Sequence, residues 1–159
     1  MTENDIIHIW TDGGCRGNNP SKEYNIGAWS FIIEFPDGKI VEESQYQFNT
    51  TNNQMELSGC LKALQTIQDK SDKNILITSD SKYLIDGVTS WSKNWIKNGW
   101  KTADKKPVKN EYYWKEILAT IKQFSEVKFR WVRGHSDCAE NNRCDELLNQ
   151  AMNKVLMKG

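Results

Sequence analysis

Several things are scarce in this 159-residue chain, and each scarcity excludes something. No apolar run approaches the roughly 20 residues of a membrane span, and "MTENDIIHIW" is no signal peptide, since no long apolar stretch follows a basic segment. Net charge is missing too: 21 basic and 21 acidic residues cancel, so a polyanion must be met by a local patch rather than a global field. The four cysteines, Cys15, Cys60, Cys138 and Cys144, are too scattered for a disulfide scaffold and read as reduced thiols. His135, Cys138 and Cys144 lie close together but lack the paired C-x-x-C knuckle of a zinc site. A soluble, cytoplasmic protein is expected, in one domain spanning residues 1–159, because the length suits a single core and no linker, repeat or low-complexity tract interrupts it.

What is present is a change of period along the chain. "DIIHIWTD" alternates, with Ile7, Ile9 and Thr11 on one face and His8, Trp10 and Asp12 on the other. "GGCRGNNPSKEYN" reads as a tight turn and loop. "GAWSFIIEF" and "KIVEESQYQF", joined by Pro36-Asp37-Gly38, complete a three-strand antiparallel meander. Leu57, Leu61, Leu64 and Ile67 then recur at helical spacing. "KNILITSD" is a continuous apolar run of the kind buried on both faces. Helical patterns follow from Ser81 to Gly99, over "EYYWKEILATIKQF" and over "RCDELLNQAMNKVL", with the strand "EVKFRWV" before the last. The order βββαβαααβα predicts an α/β fold, a mixed five-stranded sheet with helices on both faces.

Four acids stand where such elements begin or end: Asp12, Glu56, Asp80 and Asp145. The ends of neighbouring strands in an open α/β sheet converge on one crevice, so the four can share a site. Packed together they repel unless a cation compensates. An all-oxygen set suits Mg²⁺ or Mn²⁺, two of them about 4 Å apart in phosphodiester cleavage. Each acid also has an ordinary explanation: Asp12 as a turn residue, Glu56 in a capping box with Asn53, Asp80 as a helix cap, Asp145 in a helix's first turn.

The stretches "TDGGCRGN", "TTNNQMEL", "TSDSKYLIDGV", "WSKNWIKNGWKTADKKPVKN" and "WVRGHSDCAENNRCDEL", taken in this order, resemble type 1 ribonuclease H, the bacterial-type enzyme that cuts the RNA strand of RNA–DNA hybrids. The resemblance runs from about Ile6 to the last helix. It implies a ribonuclease H-like fold and an endoribonuclease that leaves 5′-phosphate and 3′-hydroxyl ends. Asp12, Glu56, Asp80 and Asp145 match the family's metal-binding carboxylates, with two Mg²⁺ bound alongside substrate and Mn²⁺ as the substitute. Asp12 would bridge both ions, Asp145 would join it on the nucleophile side, and Glu56 and Asp80 would hold the other. His135 matches the loop histidine that assists proton transfer or product release.

For the substrate, Lys93, Lys97, Lys101, Lys105, Lys106 and Lys109 face only Asp104, a net +5 within a neutral chain. By resemblance this is the family's basic protrusion, which grips the DNA strand, with Trp91 in the DNA channel; Trp95 and Trp100 read as core anchors. Asn18, Asn52 and Gln54 resemble the minor-groove contacts that recognise RNA through its 2′-hydroxyls, and Thr51 and Asn110 the pocket for a DNA phosphate. Two positions depart from the pattern: Asn49 stands where many relatives carry Arg, and Lys82 where bacterial relatives often carry Gln.

A monomer acting on RNA–DNA hybrid is therefore expected. The alternative is a non-catalytic hybrid-binding accessory domain, against which the complete carboxylate set argues; a nuclease or integrase of the same broad fold would act on DNA instead. No separate hybrid-binding module is expected, so cleavage should be distributive and should weaken with salt. A product ladder unchanged between low and moderate salt counts against the basic segment as the grip.

Overall fold

The computed structural model describes residues 5–16, 25–134 and 138–158, with side chains through Val155 in the last helix. Strands β1 (Ile6–Arg16), β2 (Ile26–Glu34) and β3 (Ile40–Phe48) form the expected meander, and β4 (Asn74–Ser79) and β5 (Glu126–Trp131) extend it in parallel with β1. The sheet order is β3-β2-β1-β4-β5. Helices are α1 (Asn52–Thr66), α2 (Lys82–Asp86), α3 (Ser92–Lys97), α4 (Glu111–Ile121) and α5 (Ala139–Lys158). None of the described helices is long and apolar enough to cross a membrane.

Alternation along the strands sorts the core into two layers, because successive side chains leave a strand on opposite faces. Ile7, Ile9, Phe31, Ile33, Ile75 and Ile77 bury one sheet face against Leu57, Leu61 and Leu64 of α1 and Trp114 and Ile117 of α4. The other face is covered by α5: Leu148 and Met152 pack on Ile26 and Ala28, and Cys144 on Trp10 and Ile32. Burying each such aliphatic side chain contributes roughly 1.5–3 kcal/mol. The stripes read from the sequence are therefore the faces that pack.

Two boundaries differ from the sequence expectation. β1 continues through Gly13, Gly14, Cys15 and Arg16, because β2 offers Ala28, Gly27 and Ile26 as cross-strand partners to the last three. Cross-strand pairing overrides the turn propensity of the glycines. α5 begins at Ala139 rather than Arg143, its first turn closed by the Asn142 N–H on the Cys138 carbonyl at 3.1 Å.

Between α2 and α3 the chain makes one π-helical turn, Gly87–Trp91, the kind of inserted residue that re-aims side chains at functional sites. It leaves Trp91 half-exposed, while Trp95 and Trp100 pack against the main core as anchors. The buried ring of Trp114 occupies the space beside Gly87, where a Cβ would lie 2.1 Å from the ring. Gly87→Ala should consequently cost about 1–3 kcal/mol by overpacking. Urea unfolding checks this, and an unchanged midpoint would contradict the packing described.

Candidate active site

The last paired rung between the parallel strands β1 and β4 is Thr11 with Ser79. Asp12 and Asp80 are the next residues on each, so two rigid neighbouring strands deliver two carboxylates to one crevice. Glu56 arrives from α1, and Gly13 is what admits it. A Cβ on Gly13 would stand 2.3 Å from the Met55 carbonyl carbon and 2.4 Å from the Glu56 nitrogen, so only glycine lets the first turns of α1 rest on β1. Carboxylate oxygens of Asp12, Glu56 and Asp80 all lie within 4.8 Å of one another.

Asp145 comes from α5, two turns in from its start. The Ser30 hydroxyl donates to the Cys144 carbonyl at 2.7 Å, and the Cys144 thiol to the Trp10 carbonyl at 3.5 Å, pinning this turn of α5 to the sheet. Asp145 is near enough to raise the proton affinity of Asp12.

The ordinary explanations of the four acids do not survive this arrangement. Thr51, not Asn53, caps α1, its hydroxyl accepting from the Gln54 N–H at 3.1 Å. Ser81 caps α2, its hydroxyl accepting from the Leu84 N–H at 3.1 Å, which frees Asp80 of that duty. Asp12 is inside a strand, and Asp145 is not in a first turn.

Burial, then the neighbouring charges of Asp80 and Asp145, pushes the Asp12 carboxyl up to about 8, against the lowering effect of the Gly13 N–H, which donates to it at 2.9 Å. Burial, then Asp12 and Asp80, holds Glu56 well above the usual carboxylate range. One Glu56 oxygen, Oε2, is buried without a hydrogen-bond partner among the described residues. Three crowded oxygen donors and an orphaned acceptor fit a hard divalent cation, which would take up the acceptor and offset the repulsion. The thiols do not compete: burial pushes Cys60 up to about 12 and raises Cys144 as well.

Around the cluster, several expected substrate contacts come together. The Gln54 side-chain amide donates to Asn110 Oδ1 at 3.3 Å, and Asn110 Nδ2 donates to the Tyr83 hydroxyl at 3.0 Å. Asn110 is held at φ 62°, a left-handed conformation asparagine tolerates, immediately before α4. Thr51 and Asn52 line a cavity of about 360 Å³ with Cys15, Asn25 and Thr50. Asn49 has φ 55°, which favours Asn over Arg there.

Lys93, Lys97, Lys101, Lys105, Lys106 and Lys109 are all exposed. Their loop is fastened by the Val108 N–H on the Trp100 carbonyl at 3.1 Å. His135 and Asn18 lie outside the described residues. Sequence reasoning missed the Tyr83 link and the Gly13 approach; a Gly-Gly pair after an Asp was the only visible signal for the latter.

The sequence model of the family described as RNase H matches residues 4–153. The Ribonuclease H of Hydrogenovibrio crunogenus is 42% identical over 149 residues, 94% of this chain and 97% of its own. That of Ruthia magnifica is 44% identical over 149 residues, with the same shares of the two chains. Among solved structures, LC9-RNase H1, described as a type 1 RNase H with the type 2 active-site motif, matches with a TM-score of 0.79 at 28% identity, over 97% of this chain and 75% of its own. LC11-RNase H1, solved in complex with RNA/DNA hybrid, has the same fold, with a TM-score of 0.69 at 24% identity over 94% of this chain and 99% of its own.

A carboxyl whose affinity for a proton rises on folding supports the fold only while protonated. In the metal-free protein, the Asp12 contribution should be present below its ordinary value of 3.8 and be lost as pH rises to about 8. Asp12→Asn should therefore melt higher than the parent in chelator at pH 8, by about 2–4 °C or more, with the gap closing toward pH 4. A lower melting temperature at pH 8 would contradict this electrostatic account.

Proposed function

This chain belongs to the ribonuclease H family, and from that membership we infer how its site hydrolyses the RNA strand of RNA–DNA hybrids. The observation that carries the reading is the convergence of Asp12 and Asp80, each the residue just past the last paired rung of the parallel strands β1 and β4, with Glu56 from α1. With Asp145 they would hold the divalent ions, two Mg²⁺ with substrate bound or Mn²⁺ in their place. When bound, such ions supply activation of the attacking water and neutralisation of charge on the phosphate and the leaving 3′ oxygen.

The protein's own part is positioning. The paired strands β1 and β4 keep Asp12 and Asp80 from drifting, and α1 sets Glu56 against them. His135 serves the proton transfer or product release, and the products carry 5′-phosphate and 3′-hydroxyl ends. Thr51 and Asn110 bind a DNA phosphate, with Gln54 and Tyr83 fixing the Asn110 amide between them. Asn18, Asn52 and Gln54 face the minor groove, where 2′-hydroxyls mark the RNA strand. The exposed lysines and Trp91 hold the DNA strand, a surface suited to phosphate and stacking contacts. LC11-RNase H1, which shares the fold, is solved with an RNA/DNA hybrid, the substrate class proposed here. The chain acts as one catalytic domain and a monomer. Its free thiols suit the reducing cytoplasm.

Asp80→Asn should lose at least about a thousandfold in cleavage of a hybrid while binding it within a few-fold of the parent. Excess chelator should have the same effect on the parent. Cleavage by Asp80→Asn at the parental rate would remove the carboxylate cluster from the chemistry.

A further inference from the structure

We propose that Trp131 is a positioning residue for Asp80, acting through its indole N–H, and that Lys82 locks the ring in place. The inference rests on the reading of Asp80 as a cation ligand given above. Trp131 ends β5 directly beside Ser79, the last residue of β4. Its Nε1 donates to the Asp80 backbone carbonyl at 3.0 Å. The Lys82 ammonium stands 4.7 Å from the centroid of the same ring. A closed ring results: Asp80, Ser81 and Lys82 along the chain, Lys82 onto Trp131 across space, and Trp131 back to Asp80 through the hydrogen bond.

The peptides flanking Asp80 are tied as well. The Val132 N–H donates to the Ser79 carbonyl at 3.0 Å, and the Ser81 N–H to the Ser79 hydroxyl at 3.0 Å. With both flanks held, the carbonyl bond removes the remaining freedom of the Asp80 backbone. The backbone so restrained is the one from which the Asp80 carboxylate comes within 4.8 Å of Asp12 and Glu56. Trp131 is 41% exposed, so its indole is not there to fill the core. The cation over its face restrains a ring that would otherwise rock in solvent. The Lys at 82, which the family pattern left without a role, acquires one.

Groups that orient metal ligands typically change affinity or activity by 10–100-fold when removed. Trp131→Phe keeps an aromatic ring near Lys82 and removes the indole N–H together with its pyrrole ring. We expect its Mn²⁺ affinity, followed by electron paramagnetic resonance without substrate, to fall about tenfold, with kcat on a hybrid falling similarly and KM staying within twofold. Lys82→Gln should leave the donor in place but speed solvent exchange of the Trp131 indole proton, read by NMR, and weaken Mn²⁺ two- to threefold. Asp80→Asn is the reference. If Asp80→Asn binds Mn²⁺ as the parent does, the cation-site reading itself fails. If Asp80→Asn weakens Mn²⁺ but Trp131→Phe does not, or raises only KM, the positioning role is overturned. Parental indole exchange in Lys82→Gln would overturn the lock.

Discussion

Mutual repulsion among buried carboxylates is the constraint around which the molecule is organised. Asp12, Glu56 and Asp80 place oxygens within 4.8 Å of one another, in surroundings that penalise charge. Left alone, such a cluster would relax by backbone motion, protonation or solvent entry. The sheet prevents the first: β1 is the central strand, paired on both sides, and β4 is paired to β1 and β5. Proton uptake, the second response, is visible in the raised affinity of Asp12 and Glu56. A divalent cation offers another response, and the Glu56 oxygen that has no partner among the described residues is a ready acceptor for it.

The rest of the fold is intelligible as support for that tension. Gly13 gives up a side chain so that α1 can lie on β1, and Ser30 and Cys144 tie α5 to the other sheet face. The exposed lysines lie apart from this packing. They sit on a loop and a short helix anchored by Trp95, Trp100 and Val108. A chain with no net charge thus carries both an exposed positive segment and a crowded negative cluster.

Much of this was legible in the residues. Period alone separated the strands from the helices and assigned Ile7 and Ile9 to one face and Trp10 to the other, because side-chain direction follows backbone geometry directly. The order of the elements and the resemblance carried the family and its activity. Element ends were less legible. Gly13-Gly14 reads locally as a turn, and only the presence of β2 across the ladder keeps it extended. The beginning of α5 was masked by Ala139–Asn142, whose polar sequence lacks an apolar stripe, and the caps Thr51 and Ser81 competed with nearby Asn53 and Asp80 for the same signal. Contacts such as Trp131 with Asp80, or Gln54 with Asn110 and Tyr83, join residues far apart in the chain. No local pattern encodes them.

The measurement that tests the central claim most directly is a carboxyl ¹³C NMR titration of Asp12 in the substrate-free protein, with and without Mg²⁺. The account predicts a midpoint near 8 without metal, falling into or below the ordinary carboxylate range when Mg²⁺ is added. A midpoint at the ordinary 3.8 without metal, or one that Mg²⁺ leaves unmoved, would contradict it.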